Sequence, residues 1–255
     1  MCWKRKKPES ITGNKVALLF GINDYMGSNN DLSGCLNDVD DVEKKLRNEF
    51  PEFQIRKFKD SEVTTHKFIA EIENALNTIK LPGVLYIHYS GHGTQIPNIQ
   101  ESNKYDEALY LYNGPLVDDN IWTLQQKTPE DLIVVAKFDS CFSGNMNRSI
   151  NPARSRFYKL PGVRIMKGAV RKFNKSASDR WVIFSGCGEE QTSADAWFNG
   201  RANGAFTYYD LKSYDRNSIY NGEIVKIRTF LPNNNFDQAP TLYGNSILFD
   251  NTVLT

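Results

Sequence analysis

Apolar runs alternate with amphipathic stretches along this chain, a pattern that predicts an α/β sheet with helices packed on its faces. Residues 15–23 (KVALLFGIN) read as a buried strand, and residues 53–59 alternate as a second strand does. Between them, Leu36, Val39, Val42, Leu46 and Phe50 share one face of a helix over 35–50. A second helix is predicted over 64–79, with Phe68, Ile69, Ile72, Leu76 and Ile79 inward, ended by Pro82-Gly83. Residues 84–89 form a strand that stops at Ser90-Gly91. The run 132–138 (LIVVAKF) is almost wholly apolar, as a central parallel strand is. Strands are also predicted over 181–185 and 246–249, and a further helix starts near 204–212.

Composition is that of an ordinary soluble globular protein, 40% hydrophobic and 24% charged. No apolar run approaches the roughly 20 residues that cross a bilayer, so no membrane is expected. The start, residues 1–14, is basic and has no apolar signal-peptide core. The four cysteines (Cys2, Cys35, Cys141, Cys187) are widely spaced, without a CxxC pair. They predict reduced thiols in a cytoplasmic protein rather than a disulfide framework or a structural zinc site.

The net charge of +1 conceals an asymmetry. Residues 145–178 hold nine basic side chains and no acidic one, which leaves 22 basic against 30 acidic residues elsewhere. This segment has weak periodicity. It separates a larger region, 15–144, from a smaller one, 179–255, whose few strands should complete the first region's sheet. As a nucleic-acid patch it has few interleaved aromatics, namely Phe157, Tyr158 and Phe173, and nucleic acid is not an expected partner.

Two short motifs stand directly after apolar strands. Tyr89-Ser90-Gly91-His92-Gly93 follows one, and Asp139-Ser140-Cys141-Phe142-Ser143-Gly144 follows the other. In open parallel sheets ligands bind beyond the carboxyl ends of strands, so both motifs should open onto the same edge. A thiol and an imidazole there are the minimal apparatus for thiol nucleophilic catalysis: His92 takes the proton of Cys141 and later hands it to the leaving amine. The amides of Gly93 and Cys141 are placed to face a developing oxyanion. The 49 residues from His92 to Cys141 agree with the roughly 50-residue interval of caspases. The local Asp139-Ser140-Cys141 is not the caspase Gln-Ala-Cys.

The sequence resembles the metacaspases, a family of caspase-fold cysteine peptidases. Leu32-Ser33-Gly34-Cys35-Leu36-Asn37-Asp38 resembles L-x-G-C-x-N-D, Tyr89–Gly93 matches Y-S-G-H-G, and Asp139–Gly144 matches D-S-C-x-S-G. Ser185-Gly186-Cys187, Gln191-Thr192-Ser193-Ala194-Asp195, Gly204-Ala205-Phe206-Thr207 and Gln238-Ala239-Pro240-Thr241-Leu242 follow in order. The resemblance implies a caspase-like three-layer sandwich with a mostly parallel central sheet, with Cys141 and His92 as the dyad. It also implies a monomer, and an acidic first specificity pocket formed by Asp38 and Asp139 with Cys35 and Ser90 nearby. Two carboxylates suit an arginine fork or a lysine ammonium, so the expected partners are peptides with Arg or Lys at the cleavage site. With that preference, segment 145–178 offers nine candidate bonds for self-cleavage of a zymogen.

The resemblance further implies calcium stimulation. Asp106, Asp118 and Asp119 resemble the ligands, but the interval between 106 and 118 is short, and Arg148 stands about where the family has a carboxylate. Other roles compete for several residues. Asp118-Asp119 suit a helix cap near Ile121. His88 and His92 could hold zinc only in an unbroken strand. A caspase-fold regulatory or scaffold protein without peptidase activity is the rival overall.

Overall fold

The computed structural model describes residues 11–27, 30–98, 105–141, 154–162, 170–171, 180–187 and 193–255. The chain runs β1 (Lys15–Gly21), α1 (Cys35–Glu49), β2 (Gln54–Lys59), α2 (Thr65–Thr78), β3 (Gly83–Ser90), β4 (His92–Pro97), β5 (Tyr105–Leu111) and β6 (Gly114–Val117). It continues with α3 (Asp118–Gln126), β7 (Leu132–Asp139), β8 (Arg154–Ser155), β9 (Val170–Arg171), β10 (Trp181–Ser185), β11 (Ala194–Phe198), β12 (Arg201–Gly204), α4 (Ala205–Asp210), α5 (Tyr220–Phe230) and β13 (Thr241–Gly244).

Six strands form the central sheet, in the order β13-β10-β7-β3-β1-β2. All its pairings are parallel except β10 with β13. Parallel strands need both faces covered, and the two faces of β1 show how. Val16, Leu18 and Phe20 pack with Phe68, Ile72 and Leu76 of α2 and Ile121 of α3. Ala17 and Leu19 turn the other way, towards Val39, Val42 and Leu46 of α1 and Ile224 and Ile227 of α5. The result is an α/β sandwich of three layers, with β10 and β13 extending the sheet that β1 began.

The predicted last strand, 246–249, is instead a 3-10 turn, Ser246–Asp250, and the closing strand lies earlier at Thr241–Gly244. The Asn245 side chain accepts from the Ile247 amide at 3.0 Å, which starts a turn. Of the apolar pair, Leu248 is buried and Ile247 is exposed. A short apolar run alone cannot separate these outcomes.

The α5 face of β7 contains a fully buried ion cluster. Lys137 Nζ meets Asp210 at 2.8 Å and 2.9 Å, and it also contacts Glu223. Burial pushes the Glu223 carboxyl well above its ordinary range, Lys137 opposes that, and Asp210 adds to it. Lys137 stays above its own ordinary value because Asp210 and Glu223 outweigh its burial. Glu223→Gln, which leaves Asp210 paired with Lys137, is expected to change stability by less than about 1 kcal/mol. Lys137→Met, which strands Asp210, should cost about 3–5 kcal/mol in urea unfolding.

Candidate active site

The site begins where three neighbouring strands stop in register. Gly21 of β1 pairs with Ser90 of β3, and Ser90 pairs with Asp139 of β7. Beyond Ser90 the backbone turns through Gly91 into β4, and beyond Asp139 it reaches Cys141, so residues 92 and 141 lie at the same edge. Asp38 arrives from the first turns of α1, Asp195 from β11, and Gly204 from the end of β12. A Cβ at Gly204 would overlap the Asp139 carboxylate and the Arg156 guanidinium, so only glycine allows this approach.

The peptide 154–158 occupies this edge. Its strand β8 pairs antiparallel with β11, Ser155 opposite Ala194, and the Arg156 amide donates to the Ser193 carbonyl at 3.0 Å. The Arg156 carbonyl accepts from the Gly93 amide at 2.9 Å and from the Cys141 amide at 3.3 Å. Downstream, the Tyr158 amide donates to the Gly93 carbonyl at 2.8 Å.

The Arg156 side chain is fully buried. Its guanidinium reaches Asp38 at 2.8 Å, Asp195 at 3.0 Å and Asp139 at 3.1 Å, and donates to the Ser90 hydroxyl at 2.8 Å. Fork-shaped recognition by several carboxylates is what distinguishes arginine from a simple point charge. Burial raises the Asp38 carboxyl, Arg156 pulls it back, and Asp139 pushes it up again. Burial also raises the Cys35 thiol beside this cluster.

At the edge itself, the Cys141 thiol donates to the Ser193 carbonyl at 3.1 Å. Burial pushes it well above the ordinary thiol value, and neighbouring Cys187 pushes it further. His92 Nε2 lies 2.6 Å from the Asn30 carbonyl. A carbonyl only accepts, so Nε2 carries the proton and Nδ1 is the basic nitrogen of the neutral ring. Nδ1 is buried without a hydrogen-bond partner. Burial lowers His92 to about 4, with the Asn30 carbonyl opposing, so the ring is neutral at physiological pH.

The residues read from the sequence as a pocket, Cys35, Asp38, Ser90 and Asp139, thus come together around one cation. Asp195 and Ser193 join them from a later motif, a role that spacing does not reveal because that motif is distant in sequence. The described basic side chains of 145–178 are not all at the surface. Arg154 and Lys159 are exposed, but Arg156 is enclosed by carboxylates that repay its desolvation. Ser143, Gly144, Arg148, Gln191 and Thr192 lie outside the described residues, as do Cys2 and the other basic side chains of 145–178.

The remaining predicted ligands stand apart from this cluster. Asp106 of β5 is buried and accepts from Asn98 at 2.8 Å. Asp118 is the first residue of α3, whose N-cap is Val117 without a side-chain cap bond, so the pair does not cap a helix near Ile121. The Asp118 carboxylate accepts from the Asp119 amide at 3.0 Å, and Asp119 is exposed. Among the described residues no group of three His, Cys, Asp or Glu is placed to hold a metal ion. Calcium takes six to eight oxygens, so these carboxylates alone do not complete a site. His88 is fully buried and its burial lowers it to about 3.

A parallel sheet carrying histidine, cysteine and a carboxylate-lined pocket at one edge, closed by a second sheet segment later in the chain, is the architecture of the caspase fold. Residues 14–250 match the Caspase domain family, and the chain belongs to it. Among curated relatives, Metacaspase-1 of Candida albicans is 31% identical over 91% of this chain, which spans 65% of that relative's length. Metacaspase-2 of Trypanosoma brucei brucei is also 31% identical, over 93% of this chain and 75% of its own length. The fold is similar to that of a Geobacter sulfurreducens protein of known crystal structure, with TM-score 0.73 and 23% identity, covering 94% of this chain and 98% of that one. Among the described residues no helix is long and apolar enough to cross a membrane.

Proposed function

We propose that this chain is a cytoplasmic, monomeric cysteine endopeptidase that cuts after arginine or lysine, and that its own Arg156–Phe157 bond is its first substrate. One observation carries the reading: Arg156 lies as a substrate would, its guanidinium among Asp38, Asp139 and Asp195 and its carbonyl between the amides of Gly93 and Cys141. Cys141 Sγ attacks that carbonyl carbon, and the thiol proton passes to His92 Nδ1. The oxygen takes up negative charge against the two amides, where one lost donor costs about 10²–10³ in rate. Collapse breaks the C–N bond, His92 returns the proton to the leaving amine, and water then hydrolyses the thioester.

Before the cut, the thiol is turned to Ser193 and the groove is full, so the intact chain is a zymogen. That same arrangement favours the second reading, a caspase-fold regulatory or scaffold protein. A thiol-reactive arginyl ketone separates the two, since only a working groove is labelled.

A peptide library varied at the residue before the cut tests the specificity. Rapid turnover is expected for arginine and lysine and none for aspartate, which the three carboxylates repel. Turnover without a basic preference would remove the proposal. The library is run with and without calcium: a faster rate supports stimulation through Asp106, Asp118 and Asp119, and equal rates remove it.

A further inference from the structure

Beyond the basic pocket, the groove has a second formed contact, on the far side of the bond. The Tyr158 ring lies flat on the Tyr110 ring, with centroids 3.8 Å apart and planes 8° from parallel. Its edge meets the His92 ring at 5.8 Å, and Tyr25 stands 6.4 Å away. The main chain of Tyr158 is held at both ends, its amide by the Gly93 carbonyl at 2.8 Å and its carbonyl by the Thr94 hydroxyl at 2.7 Å. A residue pinned in this way has its side chain directed at one spot.

That spot does not depend on its occupant. Tyr110 of β5 pairs with His92 of β4. The Tyr89 hydroxyl contacts the His92 carbonyl at 2.9 Å and the Tyr110 carbonyl at 2.8 Å, and the Tyr25 hydroxyl accepts from the His92 amide at 2.7 Å. These bonds fix Tyr110 and Tyr25 from beneath, while the Tyr110 ring is half-buried, with the Tyr158 ring lying on one of its faces. Burial pushes the Tyr110 phenol up to about 12, and the Tyr158 hydroxyl adds to the rise.

We propose that Tyr110, with Tyr25 and His92, forms an aromatic-selective subsite for the second residue after the cut bond. The preferred substrates then read basic–any–aromatic. This rests on the endopeptidase reading and extends it to the leaving side of the substrate, where a planar ring is bound by stacking and not by charge.

The test uses quenched peptides carrying Ser-Arg-Phe-Tyr, Ser-Arg-Phe-Phe or Ser-Arg-Phe-Ala. Two enzymes are compared: the unaltered full chain, and the full chain with Arg156→Ala and Tyr158→Ala, whose internal segment no longer competes. In the double variant, kcat/KM for the tyrosine peptide is expected to exceed that for the alanine peptide about 3- to 10-fold. Adding Tyr110→Ala should bring this ratio close to one, whereas Tyr110→Phe, which keeps the ring, should retain most of it. Equal rates for the tyrosine and alanine peptides would overturn the subsite and leave the arginine preference standing. Hydrolysis of none of the three by either enzyme would overturn the endopeptidase reading, and the subsite with it.

Discussion

Cys141→Ala is expected to abolish hydrolysis of arginine-ending reporter peptides, a fall of about 10⁴-fold or more, because no other group supplies the bond-forming electron pair. The structure makes the control specific. Cys187 is the neighbouring buried thiol, and its Sγ lies 3.4 Å from the Ser140 carbonyl. It meets the Ser140 carbonyl, whereas the Cys141 amide itself holds the Arg156 carbonyl. Cys187→Ala should therefore retain most of the activity. Turnover that survives Cys141→Ala and is lost with Cys187→Ala would move the nucleophile to residue 187.

Arg156→Ala is expected to remove self-cleavage at this position altogether. On incubation of the unaltered chain, mass spectrometry should find one piece ending at Arg156 and another beginning at Phe157, still associated through the shared sheet. Reporter hydrolysis should start with a lag, because Arg156 fills the pocket until its bond is cut. The alanine variant should stay whole at residue 156 and show no lag, since nothing basic then competes for the three carboxylates. Arg156→Lys should be cut more slowly than the arginine chain, because an ammonium cannot make the same fork of contacts. An intact unaltered chain with full reporter activity and no lag would count against self-cleavage. Cutting at Arg154 or Lys159, both exposed, would move the bond.

Much of the frame was legible in the order of residues. The two-sided burial of β1, β3 and β7 is written as continuous apolar runs, and the apolar faces of α1 and α2 as spacings of three and four. The strand-end motifs followed from those runs, because a parallel sheet brings the carboxyl ends of β3 and β7 to one edge. Strands β4 to β6 and helix α5 carry no comparable pattern. Their runs are short or broken by polar residues, and β4 and β5 find their pairing only through each other. The segment 246–249 shows the converse error, an apolar run that a side-chain hydrogen bond turns into a 3-10 element.

The amino-acid order by itself determined which chemistry the chain carries: a histidine, a cysteine and two carboxylates at the ends of buried strands, and a basic segment in an otherwise acidic protein. Only the tertiary structure decided which basic residue meets those carboxylates, that Asp195 joins them, and that Tyr110 waits beyond the bond. The reason is physical. Strand and helix patterns are local, read over a few residues, whereas a buried guanidinium is selected by the sum of charges that elements distant in sequence bring within about 3 Å of it.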